Sequence, residues 1–545
     1  MQRWKLFVER CYQPIQSVMF SAAVIGVAGI LSRLLGLFRD RLLASSFGAG
    51  DTLDAYYAAF RIPDTIYGLL IAGALSAALV PVFIQTRTEK GESASWRLVS
   101  DFLTILVESI FVITLLAFLF SPVILNYLVP GFVGEKRELT LELTRIMLLS
   151  PLIFGMSAVF GGVLIAQKQF FVYSLAPLLY NVGIIFGILF GIPLFGVSAL
   201  GYGVLLGSSL HFLLQWRAAA RLGYHFQSRI FSAWKDKLVR QVIWLMIPRS
   251  LGMAMSQVSL LLIAYFASSL PSGSLAEFSL AINLQAVPLG LFGVAFSLAV
   301  FPTLSRYAAE QDLTDFFSLL ASTTRRILFF VLPMTVLFIV LRAQIVRIVL
   351  GGGYFNWEDT ILTYKVLGIL SLSLFAQSLV QLFSRAFFAL HNTRTPLFVA
   401  VVSEVVQIIL LITLVPRLGL LALAAAFAIS SVVNCVLLYW LLRRRLSSVW
   451  QERLVLVPTA KILIASLGAG IVAQLTKTWF GLNLSPLDTF VSVFFQASIT
   501  TLTALSIFLI LSQLMHIEEF EYLKKFIQKK VLNQPTTLMP DETHG

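Results

Sequence analysis

The sequence predicts an all-α membrane protein of about fourteen transmembrane helices. Three observations carry this. Of 545 residues, 58% are hydrophobic and only 12% charged, with a mean hydropathy of +0.87, far from the soluble average. Apolar stretches of about 20 residues or more, enough to cross a hydrocarbon core of about 30 Å, recur from Val18 to Gln513. Basic residues gather in alternate loops, as the positive-inside rule requires. A membrane barrel would alternate apolar and polar residues over segments of about ten, and a run such as Phe111 to Phe120 shows no such alternation.

In order, the spans read as 18–43, 55–84, 99–127, 139–166, 171–195, 197–215, 240–269, 276–305, 317–350, 359–390, 396–416, 418–441, 457–480 and 485–513. The first continues into Ser32 and Arg33 rather than ending at a small-residue cleavage site, so it reads as a retained helix. Arg3, Lys5 and Arg10 precede it, and Arg87, Lys90 and Arg97 follow the second span. The loop after the sixth holds Arg217, Arg221, Arg229, Lys235 and Lys237, and the loop after the twelfth holds Arg443, Arg444, Arg445 and Arg453. Lys524, Lys525, Lys529 and Lys530 lie in the tail, where Glu518 to Lys530 reads as a charged helix and Gln534 to Gly545 as disordered. The opposite loops carry little beyond Lys136, Arg137, Arg417 and Lys477. Both termini are therefore expected in the cytoplasm, which needs an even number of spans. The net charge of +13 is thus topological, and nucleic acid is not an expected partner. Cys11 and Cys435 have no spacing that suggests a metal or a disulfide.

An internal repeat organises the chain. Ala44 to Gly50 (ASSFGAG) is echoed by Ala267 to Gly273 (ASSLPSG), and acidic Asp54 falls where Glu277 does. One helix later, Ser76 to Pro81 is echoed by Ser297 to Pro302. An offset of about 220 residues equals six spans, so the halves have the same orientation, as parallel repeats do in transporters. The expected domains are a cytoplasmic segment 1–17, an N-lobe 18–220, a basic linker 221–239, a C-lobe 240–445, a final helix pair 446–515 and a cytoplasmic tail 516–545.

Ionisable residues at membrane depth cost about 2.5 to 3.5 kcal/mol each on insertion scales, so they mark cavities or partners. Span 1 carries Arg33, Arg39, Asp40 and Arg41, span 2 carries Arg61, Pro63 and Asp64 with Asp54 at its start, and span 3 carries Glu108. An arginine fork suits phosphate, since it donates parallel hydrogen bonds and keeps its proton. Two readings stand for these groups: an anion site, or snorkelling and structural pairs such as Arg61 with Asp64 at i, i+3. In the second half Arg249, Lys365, Arg385 and Glu404 are the outliers; Glu404 with Gln407 is a weak cation candidate whose alternative is a polar contact between helices. His211 and His391 read as packing residues, and Gly26, Gly29 and Gly36 as points of close helix approach or bending. No hydrolase, nucleotide or metal pattern appears, so neither an enzyme nor a cofactor is expected.

Motifs are dispersed along the chain: Ser32 to Asp40 (SRLLGLFRD) with Phe47 to Gly50 and Asp54-Ala55, and Val287 to Ala295 followed by Phe301 to Arg306. Gly353 to Phe355, Glu358 to Thr360, Ala386 to Ala389, Asn392 to Pro396, and Ala176-Pro177 with Asn181 complete the set. Together they resemble the MurJ (MviN) lipid II flippases of the multidrug/oligosaccharidyl-lipid/polysaccharide exporter superfamily. The resemblance implies two six-helix lobes in a V, with two further helices lining a groove for a polyprenyl tail. It implies alternating-access transfer of undecaprenyl-pyrophosphate-linked peptidoglycan precursor, lipid II, from the inner to the outer leaflet of the bacterial inner membrane. Arg33, Arg39 and Asp54 fall on family positions associated with activity, and Arg61 where a basic residue is usual; with Asp40 and Asn283 they form the expected substrate-binding set. Asn283 stands where the family has an arginine, and Tyr67 or Gly68 where it often has another. Ile263 and Gln407 replace an acidic residue and an asparagine of members with a sodium site. Membrane potential or an ion gradient would drive transport, and the expected partners are the lipid-linked precursor, membrane lipids and the cell-wall synthesis machinery. The alternatives are an exporter of another polyprenyl-linked oligosaccharide or small amphiphile in the superfamily, or a non-transporting membrane scaffold.

Overall fold

A computed structural model of the chain describes residues 18–70, 74–227, 233–483 and 489–531. The expectations for segment 1–17, Cys11, Arg229 and Gln534 to Gly545 lie outside those residues, as do the side chains of Ser76, Ala77, Arg249, Lys525, Lys529 and Lys530. Among the described residues every regular element is a helix, apart from an isolated bridge between Gly352 and Phe355 in a turn. Among the described residues nine helices are long and apolar enough to cross a membrane, or ten if Trp357–Ser371 and Leu374–Ala389, bent by 45°, make one span.

Two of these stretches, Ala78–Leu128 and Phe170–Arg221, run 51 and 52 residues, which at 1.5 Å per residue far exceeds a bilayer. Each is broken by a glycine with a left-handed backbone: Gly91 at φ 85° and Gly196 at φ 57°. Lacking Cβ, glycine takes these angles without a steric penalty. At Gly196 the chain doubles back, so that Gly183 faces Gly207 and Gly187 faces Gly203: a Cβ added at Gly183 would lie 2.2 Å from the Gly207 Cα, and one at Gly187 2.6 Å from the Gly203 Cα. Gly183, Gly187 and Gly191 are four apart, as are Ala199, Gly203 and Gly207, so small residues line both helices of the hairpin. The expected close approach at Gly26 and Gly29 is not found, since a Cβ there would meet nothing within 4 Å, and one at Gly36 would meet only Asn181 Oδ1 at 3.8 Å.

Three residues before Pro63 the helix breaks at Phe60, between Asp51–Ala59 and Arg61–Leu70. A proline ring clashes with the carbonyl four residues back, and here that residue is Ala59, the last of the preceding helix.

The chain divides into two compact units, residues 1–284, 349–366 and 393–430 in one and 285–348, 367–392 and 431–545 in the other. In the first, Phe83, Trp96, Phe102, Phe160 and Tyr224 form a buried aromatic core beneath the basic loops, with Trp96 and Tyr224 ring centroids 5.8 Å apart. In the second, Leu313–Val340 packs on the closing pair Arg453–Asn483 and Phe490–Leu514 through Leu337, Leu341, Ala473 and Ala504. Gly470 makes this contact possible, because a Cβ there would lie 2.3 Å from Val336 Cγ1. Large apolar side chains such as Phe111, Leu119 and Phe120 are about half exposed, which suits hydrocarbon rather than water.

Candidate functional site

The sequence places three arginines where apolar neighbours leave them costly, and the first unit supplies their partners. Arg39 and Asp40 lie on Val18–Phe47. Arg39 directs Nε and Nη2 to Asp40 Oδ1 at 3.0 and 2.7 Å and Nη1 to Asn181 Oδ1 at 3.2 Å. Asn181, on Phe170–Phe186, donates in turn to the carbonyls of Pro177 and Ser32 at 3.2 and 3.3 Å. The other Asp40 oxygen accepts from Asn283 Nδ2, on Ser274–Pro288, at 3.0 Å. Asp40 is thus satisfied from both repeats, and Asn283 substitutes a neutral hydrogen bond for the second cation that an arginine would bring.

Arg61 is buried and donates from Nη2 to Ser279 Oγ, one turn before Asn283, at 3.3 Å, while its Nε has no hydrogen-bond partner among the described residues. That direction replaces the anticipated pairing with Asp64, and no ion pair forms between the two among the described residues. Arg33 is half-buried two turns before Asp40. Tyr57, whose buried hydroxyl also lacks a partner among the described residues, neighbours the same charges. Orphaned donors inside an apolar helix set are costly, and a multivalent anion with several acceptor oxygens would satisfy them.

Asp54 belongs to a second constellation. Its carboxylate accepts from Gly273 N and Ala276 N, both at 2.8 Å, which caps the Ser274–Pro288 helix, and from Lys136 Nζ at 2.7 Å. Lys136 also reaches Asp51 at 2.7 Å, and Ser272 Oγ donates to Asp51 at 2.6 Å. Partial burial raises the Asp51 carboxyl, but the hydrogen bonds from Lys136 and Ser272 and the lysine charge outweigh it and leave it below its ordinary value. Asp359 Oδ2 accepts from Ala49 N at 3.2 Å and Asn356 N at 3.0 Å. Backbones nearly touch here: Cβ atoms added at Gly131, Gly273 and Gly353 would lie 2.0, 2.0 and 2.1 Å from the carbonyls of Ser268, Ala49 and Ser45. Four turns, 44–54, 130–136, 268–277 and 352–359, are therefore locked together at one end of the unit. The repeat is visible in this closure: Asp54 N bonds Gly50 O at 3.0 Å and Glu277 N bonds Gly273 O at 2.9 Å, each a glycine opening a helix.

The remaining candidates are placed as follows. Gln407 is buried and fully engaged, accepting from Ser259 Oγ and Ser430 Oγ at 2.8 and 3.0 Å and donating to Ser259 O at 3.4 Å. Glu404, one turn earlier, has an oxygen with no partner, and among the described residues no group of three His, Cys, Asp or Glu side chains could hold a metal. His211 bonds Ser157 Oγ at 2.7 Å and packs edge-on against Phe154, a packing role. Sequence reasoning passed over Lys136, Ser279 and the cap on Asp54; the signal for Lys136 was a basic residue on the side otherwise poor in them.

Comparison with known proteins adds the family. A family model described as lipid II flippase MurJ matches residues 43–514. A probable lipid II flippase MurJ of Bdellovibrio bacteriovorus is 31% identical over 467 residues, spanning 84% of this chain and 88% of the relative. The lipid II flippase MurJ of Burkholderia cenocepacia is 26% identical over 478 residues, spanning 86% and 92%. Among solved structures, a lipid II flippase MurJ in an inward closed conformation superposes with a TM-score of 0.76 at 25% identity, covering 91% of this chain and 99% of that one. An inward-facing MATE family multidrug transporter of the MOP superfamily, at TM-score 0.65, 17% identity and 77% and 95% coverage, shares the fold.

Proposed function

The chain belongs to the lipid II flippase MurJ family, and from that premise we propose that Arg39, Arg33 and Arg61 receive the pyrophosphate of lipid II as it passes from the inner to the outer leaflet. The protein is a multi-pass protein of the bacterial inner membrane. The observation that carries the site is the polar cluster of Arg39, Asp40, Asn181 and Asn283, beside an Arg61 whose Nε lacks a partner. Arginine forks at membrane depth pay back their desolvation only against water or an anion, and a pyrophosphate can engage two at once. Asp40 holds Arg39 in place while the site is empty and yields to the substrate's oxygens.

Fourteen spans with cytoplasmic termini complete the reading. That reading adds Val18–Phe47, the region from Asp51 to Leu70 and Lys237–Ser268 to the helices apolar enough to cross a membrane, and takes the bent pair as one span and the Phe170–Arg221 hairpin as two. The four locked turns all follow odd-numbered spans and so lie outside, which makes the closure an outer gate. The last two spans, Arg453–Asn483 and Phe490–Leu514, expose apolar side chains such as Leu467, Ile471 and Leu502, which suit an apolar polyprenyl chain. Transport proceeds without catalysis by alternating access, driven by the membrane potential, and a saturated Gln407 leaves it independent of sodium. Cell-wall synthases that consume lipid II outside are the natural partners.

The test is genetic. Expressed in bacteria depleted of their own lipid II flippase, the chain should restore growth and Arg39→Ala should not, although both accumulate in the membrane. Failure of the wild-type chain with normal accumulation would refute the assignment of substrate.

A further inference from the structure

Among the described residues, one ionisable group inside the outer closure has no hydrogen-bond or ion-pair partner. Glu277 stands in the first turn of Ser274–Pro288 and is 3% exposed. Among the described residues no hydrogen bond or ion pair reaches its carboxylate. Its repeat counterpart Asp54 is saturated by two backbone amides and a lysine. The groups facing Glu277 are themselves acidic: Asp359 and Glu358 on Trp357–Ser371 and Asp54 on Asp51–Ala59. Lys136, the cation at this closure, is held by Asp51 and Asp54, and Asp359 already accepts two backbone amides. A buried, uncompensated carboxylate next to like charges is far less favourable than the neutral acid.

We propose that Glu277 is a proton-binding site of the outer closure: it holds a proton while the four turns are packed together and gives that proton to the external solution when they separate. This rests on reading those turns as the outer gate of a flippase. The step is balanced without a co-reactant, since only the carboxyl O–H bond breaks and external water takes the proton. Because the closed form holds one more proton than the open form, closure is favoured in acid and lost as external pH rises. The ligand is therefore a proton drawn from outside, and outer opening becomes sensitive to external pH before any substrate binds.

The full-length protein in lipid nanodiscs, with Cys11 and Cys435 replaced by serine, would carry spin labels at Glu135→Cys and Tyr354→Cys, both exposed on turns of the closure. The distance between labels is read by pulsed EPR from about pH 5 to about pH 9, a range that brackets carboxyl titration in and out of burial. A short-distance population should dominate in acid and give way to a longer one as pH rises. Glu277→Gln, a permanent mimic of the neutral acid, should stay short throughout. Asp359→Asn removes a facing negative charge, so the closed form tolerates a charged Glu277 better and the midpoint should move to higher pH, which keeps the proposal falsifiable if Glu277→Gln does not fold. A wild-type distribution that ignores pH, a Glu277→Gln response like that of the wild type, or an unmoved midpoint in Asp359→Asn would each overturn it. No lipid II is present, so this outcome is independent of the substrate assignment.

Discussion

At the scale of single residues, each arginine does what a lysine cannot. Arg39 makes hydrogen bonds from three nitrogens to two residues. Arg39→Lys keeps the charge but cannot span Asp40 and Asn181 together, so transport should fall several-fold; Arg39→Ala and Arg33→Ala should abolish it. Both alanine variants should still insert and accumulate, as quantitative blotting of membranes would check. Asp40→Ala should behave differently, because it strips the counter-ion from a partly buried guanidinium at about 3 to 5 kcal/mol, lowering the melting temperature in detergent as well as activity. The arginines were legible in the sequence because a charge in an apolar run is conspicuous. Asn181 and Asn283 were also singled out, but their pairings were not legible: they are 142 and 243 positions from the residues they bond, and no local pattern reports such pairings. Asp54 was found as a candidate but not its engagement by Lys136, for the same reason.

At the scale of elements, period and punctuation carried most of the information. Apolar runs gave the helices and left-handed glycines the breaks, yet which glycines mark contact depends on the neighbouring helix. Gly26 and Gly29 face open space, whereas Gly207 lies against Tyr180, where a Cβ would meet the backbone oxygen at 2.3 Å. Gly207→Leu should therefore wedge the Phe170–Arg221 hairpin apart and lower accumulation and thermal stability together, while Gly26→Ala should be neutral or slightly stabilising through helix propensity. Fluorescence-detected size-exclusion of the two variants after a heat challenge separates them. Equal behaviour would show that the small-residue face of the hairpin does not hold it together.

At the scale of the whole molecule, the sequence reached the fold class and membrane location through composition and loop charge, because both are summed over many residues and survive local error. The internal repeat was legible as short echoes, and the first-turn hydrogen bonds at Asp54 and Glu277 give those echoes a common geometry. The orientation is open to direct measurement: Glu135→Cys should react with an impermeant thiol reagent added outside intact cells, and Lys90→Cys only after permeabilisation. The reverse pattern would invert the outer gate and with it the meaning of Glu277. The central claim, that the arginine cluster carries lipid II outward, is tested most directly by measuring lipid II at the outer leaflet of cells depleted of their own flippase. The account predicts that externally added lipid II-cleaving enzyme finds its substrate when the wild-type chain is present and does not when Arg39→Ala replaces it; lipid II equally accessible with both, at equal protein levels, would contradict it.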